Sequence, residues 1–421
     1  MPSSLEQESP AAARPVYGVV PSRTSPRILF AAPGYLRLWS AGAIGNGMRW
    51  LELLVVGIFT WQATRSSLLV ALMMVARQLP MLLLGTVAGV IADAFDRRKL
   101  LLAQLLGTTA ISASLAALAG LGRLQVWHVA VGSGLAGIAW SLELAVRRRM
   151  IGECVPLGQV AAAIAFDTLT GSITRIFGPL LGGAIFETIG IGGAYAMSAG
   201  LYAASATAIL GLAFHQERRP LRLSHVPAEI AEGFAAARAN PTILMVVLVS
   251  IIANSFGFSY SALIAPLGLH RYGVSPVLVG LLAAAEAIGA TIAGIGLSAE
   301  WVRLGGRQTM LRGTFLFFSG LVVLALSPWY ALAFIVMVAA GFGTAAFSIM
   351  QTTLILTEAP AQLRSRVMGI VTVCIGTGPF GVLVIGALAE AIGPPAAILV
   401  MALIGLAAQV LVQVRVLGTH R

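Results

Sequence analysis

"GVIADAFDRRK", residues Gly89–Lys99, packs two Asp, two Arg and one Lys into a short gap between apolar stretches. More than twenty mostly apolar residues precede the gap and about twenty follow it. A helix needs about 20 apolar residues to cross the hydrocarbon core of a bilayer. The gap therefore reads as a loop between two membrane-crossing helices. The whole chain fits that reading. Its 421 residues are 58% hydrophobic and 10% charged, and the mean hydropathy is +0.91. Soluble domains carry about 25% charged residues, so a soluble enzyme is excluded on composition.

Apolar segments run over 38–62, 68–92, 100–121, 125–146, 160–186, 191–214, 242–264, 275–299, 309–326, 329–350, 366–389 and 395–416. The fold expected is an all-α integral membrane protein of twelve transmembrane helices. Residues 1–34 are rich in Pro, Ser and Ala and read as a disordered cytoplasmic tail. Residues 215–241 form the longest loop, where Glu229, Glu232 and Arg238 alternate with apolar residues, suggesting a short interfacial helix. Six helices lie on each side, over 35–214 and 242–421.

The net charge is +11. Its distribution reports topology rather than nucleic-acid binding. If the N-terminus is cytoplasmic, 21 of the 27 Lys and Arg fall on the cytoplasmic side and three (Arg65, Arg123, Arg271) on the other. Basic residues favour the cytoplasmic loops, so both termini are expected in the cytoplasm of a bacterial inner-membrane protein. The two cysteines, Cys154 and Cys374, lie in or beside apolar segments and suggest no disulfide framework.

The halves repeat each other. "GAIFETIG" (Gly183–Gly190) matches "GALAEAIG" (Gly386–Gly393) at five of eight positions, 203 residues apart. "GVIAD" (Gly89–Asp93) pairs with "GLSAE" (Gly296–Glu300), and "ECVP" (Glu153–Pro156) with "EAP" (Glu358–Pro360), at nearly the same offset. Parallel six-helix repeats are a known plan for secondary transporters.

These features resemble the major facilitator superfamily. Its loop signature, G-x-x-x-D-R-x-G-R-R/K, is matched by Gly89, Asp93, Arg97 and Arg98, whereas Ala94 and Asp96 stand where the pattern has Arg and Gly. "YLRLW" (Tyr35–Trp39) and "PAQLRSRVMGI" (Pro360–Ile370) resemble the drug- and siderophore-exporting branch, similar to the enterobactin exporter. The resemblance implies two six-helix pseudo-repeats and alternating access. It implies a cytoplasmic gate at Gly89, Asp93, Arg97 and Arg98, although the bases there could instead only fix topology. Glu143, Arg147 and Glu153 join that gate, or form local surface salt bridges. "GPLLGG", with Gly178, Pro179, Gly182 and Gly183, resembles the family's antiporter motif and tilts direction toward efflux, although Thr174 departs from the full motif. Ordinary glycine-mediated helix packing is the alternative.

A charge at mid-membrane costs about 2.5–3.5 kcal/mol on insertion scales, so it marks a functional candidate. Arg49, Glu52, Arg77, Asp167, Arg175 and Glu286 qualify. Glu52, first, and Glu286 are the candidates for carrying a coupling proton, although Glu52 could simply neutralise Arg49 or Arg77. Asn46, Arg49, Arg77, Gln78, Asp167, Arg175, Asn254 and Gln351 are the candidates for the substrate cavity. There is no phosphate-binding loop, metal-spaced Cys/His cluster or nucleophile–base pair. No enzyme activity, metal or cofactor is therefore expected.

The function expected is proton-coupled efflux of a small amphiphilic compound, drug-like or siderophore, with protons and lipid as the other partners. Monomer is the family default. An importer or lipid flippase of the same fold is the alternative, as is a non-transporting receptor or assembly partner. The orientation has a direct check. With Cys154 and Cys374 replaced by Ser, a single cysteine at Arg123 reacts with a membrane-impermeant maleimide in intact cells. One at Arg149 reacts only after permeabilisation. The reverse pattern inverts the topology.

Overall fold

The computed structural model describes residues 29–30, 32–212, 232, 234–235, 237–298, 306–360 and 362–417. All regular structure among them is helical. In chain order the main helices are α1 (Pro33–Thr64), α2 (Ser67–Ala94), α3 (Arg97–Gly120), α4 (Val126–Cys154) and α5 (Val160–Leu210). Then come α6 (Pro241–Ile252), α7 (Pro276–Ser298), α8 (Gly306–Leu326), α9 (Tyr330–Glu358), α10 (Arg364–Ile375), α11 (Gly378–Ile392) and α12 (Pro394–Val412). The tail 1–28, most of the 215–241 linker and the "GLSAE" end at 299–300 lie outside the described residues.

Among the described residues, ten stretches are long and apolar enough to cross a membrane by length and composition. The expected count of twelve rests on two further readings. One is α1, 32 residues long but carrying Arg37, Arg49 and Glu52. The other is α5, whose 51 residues break at Gly190 with φ 69° and ψ −172°. Only glycine enters that region without a Cβ penalty. Gly393, its counterpart in the repeat, has φ 85° and ψ 154° and separates α11 from α12. The repeated "G…G" motif thus ends a helix by the same backbone device in each half of the chain.

Helix starts follow local chemistry. Pro33, Pro241 and Pro394 occupy first-turn positions, where a missing N–H costs nothing. Asn240 caps α6 by accepting from the Thr242 and Ile243 N–H groups. Asp96 caps α3 by accepting from the Lys99 N–H at 3.1 Å. That is what the departure from Gly at this position accomplishes.

Apolar packing falls into two large clusters. One is built from residues such as Tyr35, Leu51, Leu105, Met150 and Ile209 of α1 to α5. The other is built mainly from α6 to α12, around Phe317, Phe318, Met337 and Met401. Within a membrane, small residues let helices approach closely, and here they do. A Cβ on Gly289 of α7 would lie 1.8 Å from the Val338 carbonyl oxygen of α9. The reciprocal Gly341 would meet the Glu286 carbonyl at 2.2 Å.

The glycines of the antiporter-like motif also sit at close helix contacts. Gly178 and Gly182 face α1 at Gly47, Trp50 and Leu51, while a Cβ on Gly183 would sit 2.2 Å from the Pro276 carbonyl of α7. Gly280 of α7 faces the Pro179 carbonyl in return, at 2.4 Å.

Overpacking of this kind costs about 1–3 kcal/mol. Gly289→Ala is therefore expected to lower the melting temperature of the purified protein in detergent. Gly107→Ala on α3, whose Cβ would meet nothing within 4 Å, is expected not to. Equal melting of the two variants would refute the close approach.

Candidate translocation cavity and gating residues

Two cavities meet in the middle of the bundle. The larger, about 490 Å³, lies between the two sets of helices and is lined on one side by Leu53, Met73 and Met74 and on the other by Phe258, Ile264 and Val382. The other, about 340 Å³, lies within α1 to α5 and is lined by Asn46, Glu143, Arg147 and Asp167. Arg49, Trp50, Arg77, Trp140 and Arg175 line both. Ligand pockets are typically about 300–1,000 Å³ and mostly apolar with a few polar groups, a description the larger cavity meets.

Irregular backbone borders the larger cavity. After α6 the chain runs through π and 3₁₀ turns from Ala253 to Leu263, and through a further π turn at Leu267–Arg271. Such turns recur at functional sites, and this one presents Phe258, Ser259 and Tyr260 to the cavity. Opposite it, α10 and α11 are interrupted at Gly376–Thr377. The Ser255 hydroxyl donates to Thr377 Oγ1 at 3.0 Å. A Cβ on Gly381 would lie 1.9 Å from the Ser255 carbonyl. "GTGPFG" (Gly376–Gly381) carried this break in its Gly and Pro content, although the sequence reading ran one helix through it.

The ionisable residues pair in a specific way. Glu52 accepts from Arg77 Nη1 at 2.9 Å, and both side chains are buried. The Ser112 hydroxyl also reaches Glu52, at 3.4 Å. With Tyr195 and Tyr202 these groups line a void of only about 10 Å³. Glu52 thus chooses Arg77 of α2 rather than Arg49 of its own helix.

Glu286 lines the larger cavity and is bound by Arg175 of α5 and by the Thr344 hydroxyl of α9. Its partner comes from the other half of the chain, a pairing that spacing along its own helix could not reveal. Arg147 holds two acids: Glu143, one turn before it, at 3.2 Å, and Asp167 of α5. Arg49 rests instead on aromatic rings. Its guanidinium carbon is 4.5 Å from the Trp140 ring centroid and 5.3 Å from that of Trp50. Arg175 lies over Trp50 as well, at 5.6 Å.

The remaining candidates separate. Asn46 lines the smaller cavity, and Gln78 and Asn254 line the larger. Gln351 lines neither: it is buried and donates to the Ser250 hydroxyl at 2.6 Å, tying α9 to α6. At the charged loop, Arg97 pairs with Glu153 and donates to the Ala92 carbonyl, while Arg98 donates to the Leu210 carbonyl. These partners all belong to α2, α4 and α5. The side chain of Asp93 and the burial of Gly89 lie outside what the structure describes.

Trp50, Trp140 and Thr344 carry site geometry that the sequence reading assigned to no one. The two tryptophans lie in the interior of α1 and α4, away from the helix ends.

Comparison with known proteins agrees with this architecture. The model of the transmembrane secretion effector family matches residues 25–419. The multidrug efflux pump Tap of Mycolicibacterium fortuitum is 26% identical over 391 residues, covering 89% of this chain and 91% of that one. Among solved structures, a peptide transporter of the POT family in complex with sulfate superposes with TM-score 0.74 at 12% identity, covering 92% of this chain and 97% of that one. A bacterial homologue of the human lysosomal transporter Spinster, inward-facing and unoccupied, superposes with TM-score 0.67 at 15% identity over 94% and 96% of the two chains. The family match spans nearly the whole chain and the helical bundle has the fold of these transporters, so the protein belongs to the transmembrane secretion effector family of major facilitator transporters.

Proposed function

We propose that the protein exports a small amphiphilic compound across a bacterial inner membrane in exchange for protons. In this reading residues 35–214 and 242–421 rock as two bundles about the central cavities, with both termini cytoplasmic. The efflux direction is supported by the similarity to a multidrug efflux pump and by the "GPLLGG" motif. A drug-like substrate fits the apolar lining of the larger cavity; a siderophore is the other compound class.

The observation that carries the proton coupling is the Arg175–Glu286 pair. It joins the two halves of the chain, and its acid lines the larger cavity. Rocking separates its partners, so the charge state of Glu286 is tied to conformation. Glu52 is placed differently. It and Arg77 both belong to the first half, and Glu52 lines neither of the two main cavities, whereas Arg77 borders both. We therefore favour Glu286 for the coupling role over Glu52, the first choice on sequence. Glu52 becomes the counter-charge that makes a buried Arg77 tolerable.

Reconstituted vesicles holding an internal pH dye test this. Under an imposed pH gradient, addition of a transported amphiphile from a panel of anionic, neutral and cationic dyes should discharge the gradient in the wild type. Glu286→Gln should reduce that discharge at least tenfold. Glu52→Gln should chiefly lower thermal stability, because removing one partner of a buried ion pair costs about 3–5 kcal/mol. Dye movement with no proton flux in the wild type would rule out coupling. Proton flux kept in Glu286→Gln and lost in a stably folded Glu52→Gln would reverse the assignment.

A further inference from the structure

We infer that Arg49 receives the acidic group of the transported compound, so that the substrate class is an amphiphilic anion. This rests on the exporter reading above for the word transported; the anion site itself does not. Of the four arginines that border the cavities, Arg77, Arg147 and Arg175 each have a carboxylate within ion-pair distance. Arg49 has none within 4.0 Å among the described residues; its guanidinium lies beside the Trp50 and Trp140 rings, and Glu143 attracts it only from beyond that distance.

A cation at mid-membrane is costly, and aromatic faces supply only part of what a carboxylate would. The two rings flank the guanidinium carbon, and its N–H groups have no carboxylate within ion-pair distance among the described residues. Glu143 lines the smaller cavity with Arg49, but its carboxylate is engaged by Arg147. Asp167 is engaged by the same Arg147. On its other side Arg49 borders the larger cavity, where Met73, Met74 and Phe258 offer an apolar bed. A planar oxyanion takes the fork of a guanidinium in two parallel hydrogen bonds. An acidic head at Arg49 with an aromatic or aliphatic body in the larger cavity satisfies both halves of the site.

The test is equilibrium dialysis with protein in phosphatidylcholine nanodiscs and no pH gradient. The probes are 2-naphthalenesulfonate and its neutral isostere 2-naphthalenesulfonamide. Wild type is expected to bind the sulfonate at least tenfold more tightly. Arg49→Gln should erase that preference while keeping sulfonamide binding, and Arg49→Lys should keep part of it. Equal binding of the two probes by the wild type overturns the inference, as does an undiminished preference in Arg49→Gln.

Repeating the assay in discs containing phosphatidylglycerol separates two sources of the anion. Loss of the sulfonate site there identifies a lipid headgroup as the occupant, and retention identifies a free amphiphile. Because no gradient is applied, a failure of proton coupling leaves the result standing. A missing anion preference leaves export of neutral or cationic compounds standing.

A second observation is independent. The repeated motif places an acid three residues before each terminal glycine, Glu187 and Glu390. The Val277 N–H, at the start of α7, donates to Glu187 Oε2 at 3.1 Å. The Leu68 N–H and the Ser66 hydroxyl, at the start of α2, donate to Glu390 Oε2 at 3.2 and 3.0 Å. Each acid thus caps the first turn of a helix in the opposite half, where unpaired N–H groups and the helix dipole favour a negative charge.

Gly183 against Pro276 and Gly386 against Leu68 and Ala71 bring the same helix ends into contact. The structure assigns Glu187 and Glu390 as a two-fold latch that holds the halves together on the face opposite the linker. Both carboxylates are exposed, so each cap is worth about a two- to fivefold bias in population. A transporter that must reopen can break it.

Nitroxides on cysteines replacing Leu121 and Trp329, in a Cys154→Ser, Cys374→Ser background, report the separation of that face. Glu187→Gln with Glu390→Gln should increase the long-distance population several-fold over the parent, and each single change should give part of the shift. An unchanged distance distribution in the folded double variant overturns the latch.

Discussion

Pairing of charge in a medium that resists charge governs the interior of this protein. Among the described residues eight acidic or basic side chains border or adjoin the cavities: Arg49, Glu52, Arg77, Glu143, Arg147, Asp167, Arg175 and Glu286. The signs balance in sum. They do not balance in place, because Arg147 takes two acids while Arg49 takes none. A fully paired set would be inert scaffolding. The mismatch leaves one cation facing an apolar cavity and one surplus carboxylate toward the ends of α4 and α5. Chemistry that a substrate can use arises where the pairing is incomplete.

The contacts also fall into a mechanical order. Within the first half, Arg77 and Glu52 are buried and hydrogen-bonded, and separating such a pair costs about 3–5 kcal/mol. Across the halves the links are softer. Arg175 is 35% exposed on its side of the pair, and the caps by Glu187 and Glu390 are exposed and worth about 0.3–1 kcal/mol each. Helix backbones touch at Gly183 and Gly280 without side chains to interlock them. Strong bonds inside each half and weak ones between them are what rigid-body rocking requires. The loop signature acts within one half, since the described partners of Arg97 and Arg98 belong to α2, α4 and α5.

Much of this architecture was legible in the residues. Apolar length marked the spans, basic residues marked a topology, and the repeated "G…G" motif marked a joint that both halves share. Most cavity candidates were also legible, because charge inside an apolar run is conspicuous. Pairing was not. Glu52 with Arg77 and Glu286 with Arg175 are contacts between helices far apart in sequence, and periodicity along one helix carries no information about them. Gln351 went astray for a related reason: a polar side chain in a span can serve the cavity or bind a neighbouring helix, and here the Ser250 hydroxyl claims it. The break at Gly376–Thr377 was written in "GTGPFG" but masked by the hydrophobicity around it. Glu187 and Glu390 stood in the repeated motif, but only the fold sets a helix start opposite each.

Glu286 and Arg49 are linked through one tryptophan. Arg175 holds Glu286 and lies over Trp50; Arg49 lies over Trp50 too. If the halves part, Arg175 of α5 leaves Glu286 of α7. Glu286 then keeps only Thr344 from its own half, and a proton is the smallest replacement for the lost guanidinium. Arg175, released beside Arg49, makes a site with two cations on one indole, better suited to an anion than Arg49 alone. Proton uptake at Glu286 and anion capture at Arg49 both draw on the parting of Arg175 from Glu286, so one ion pair between the halves ties the two events together.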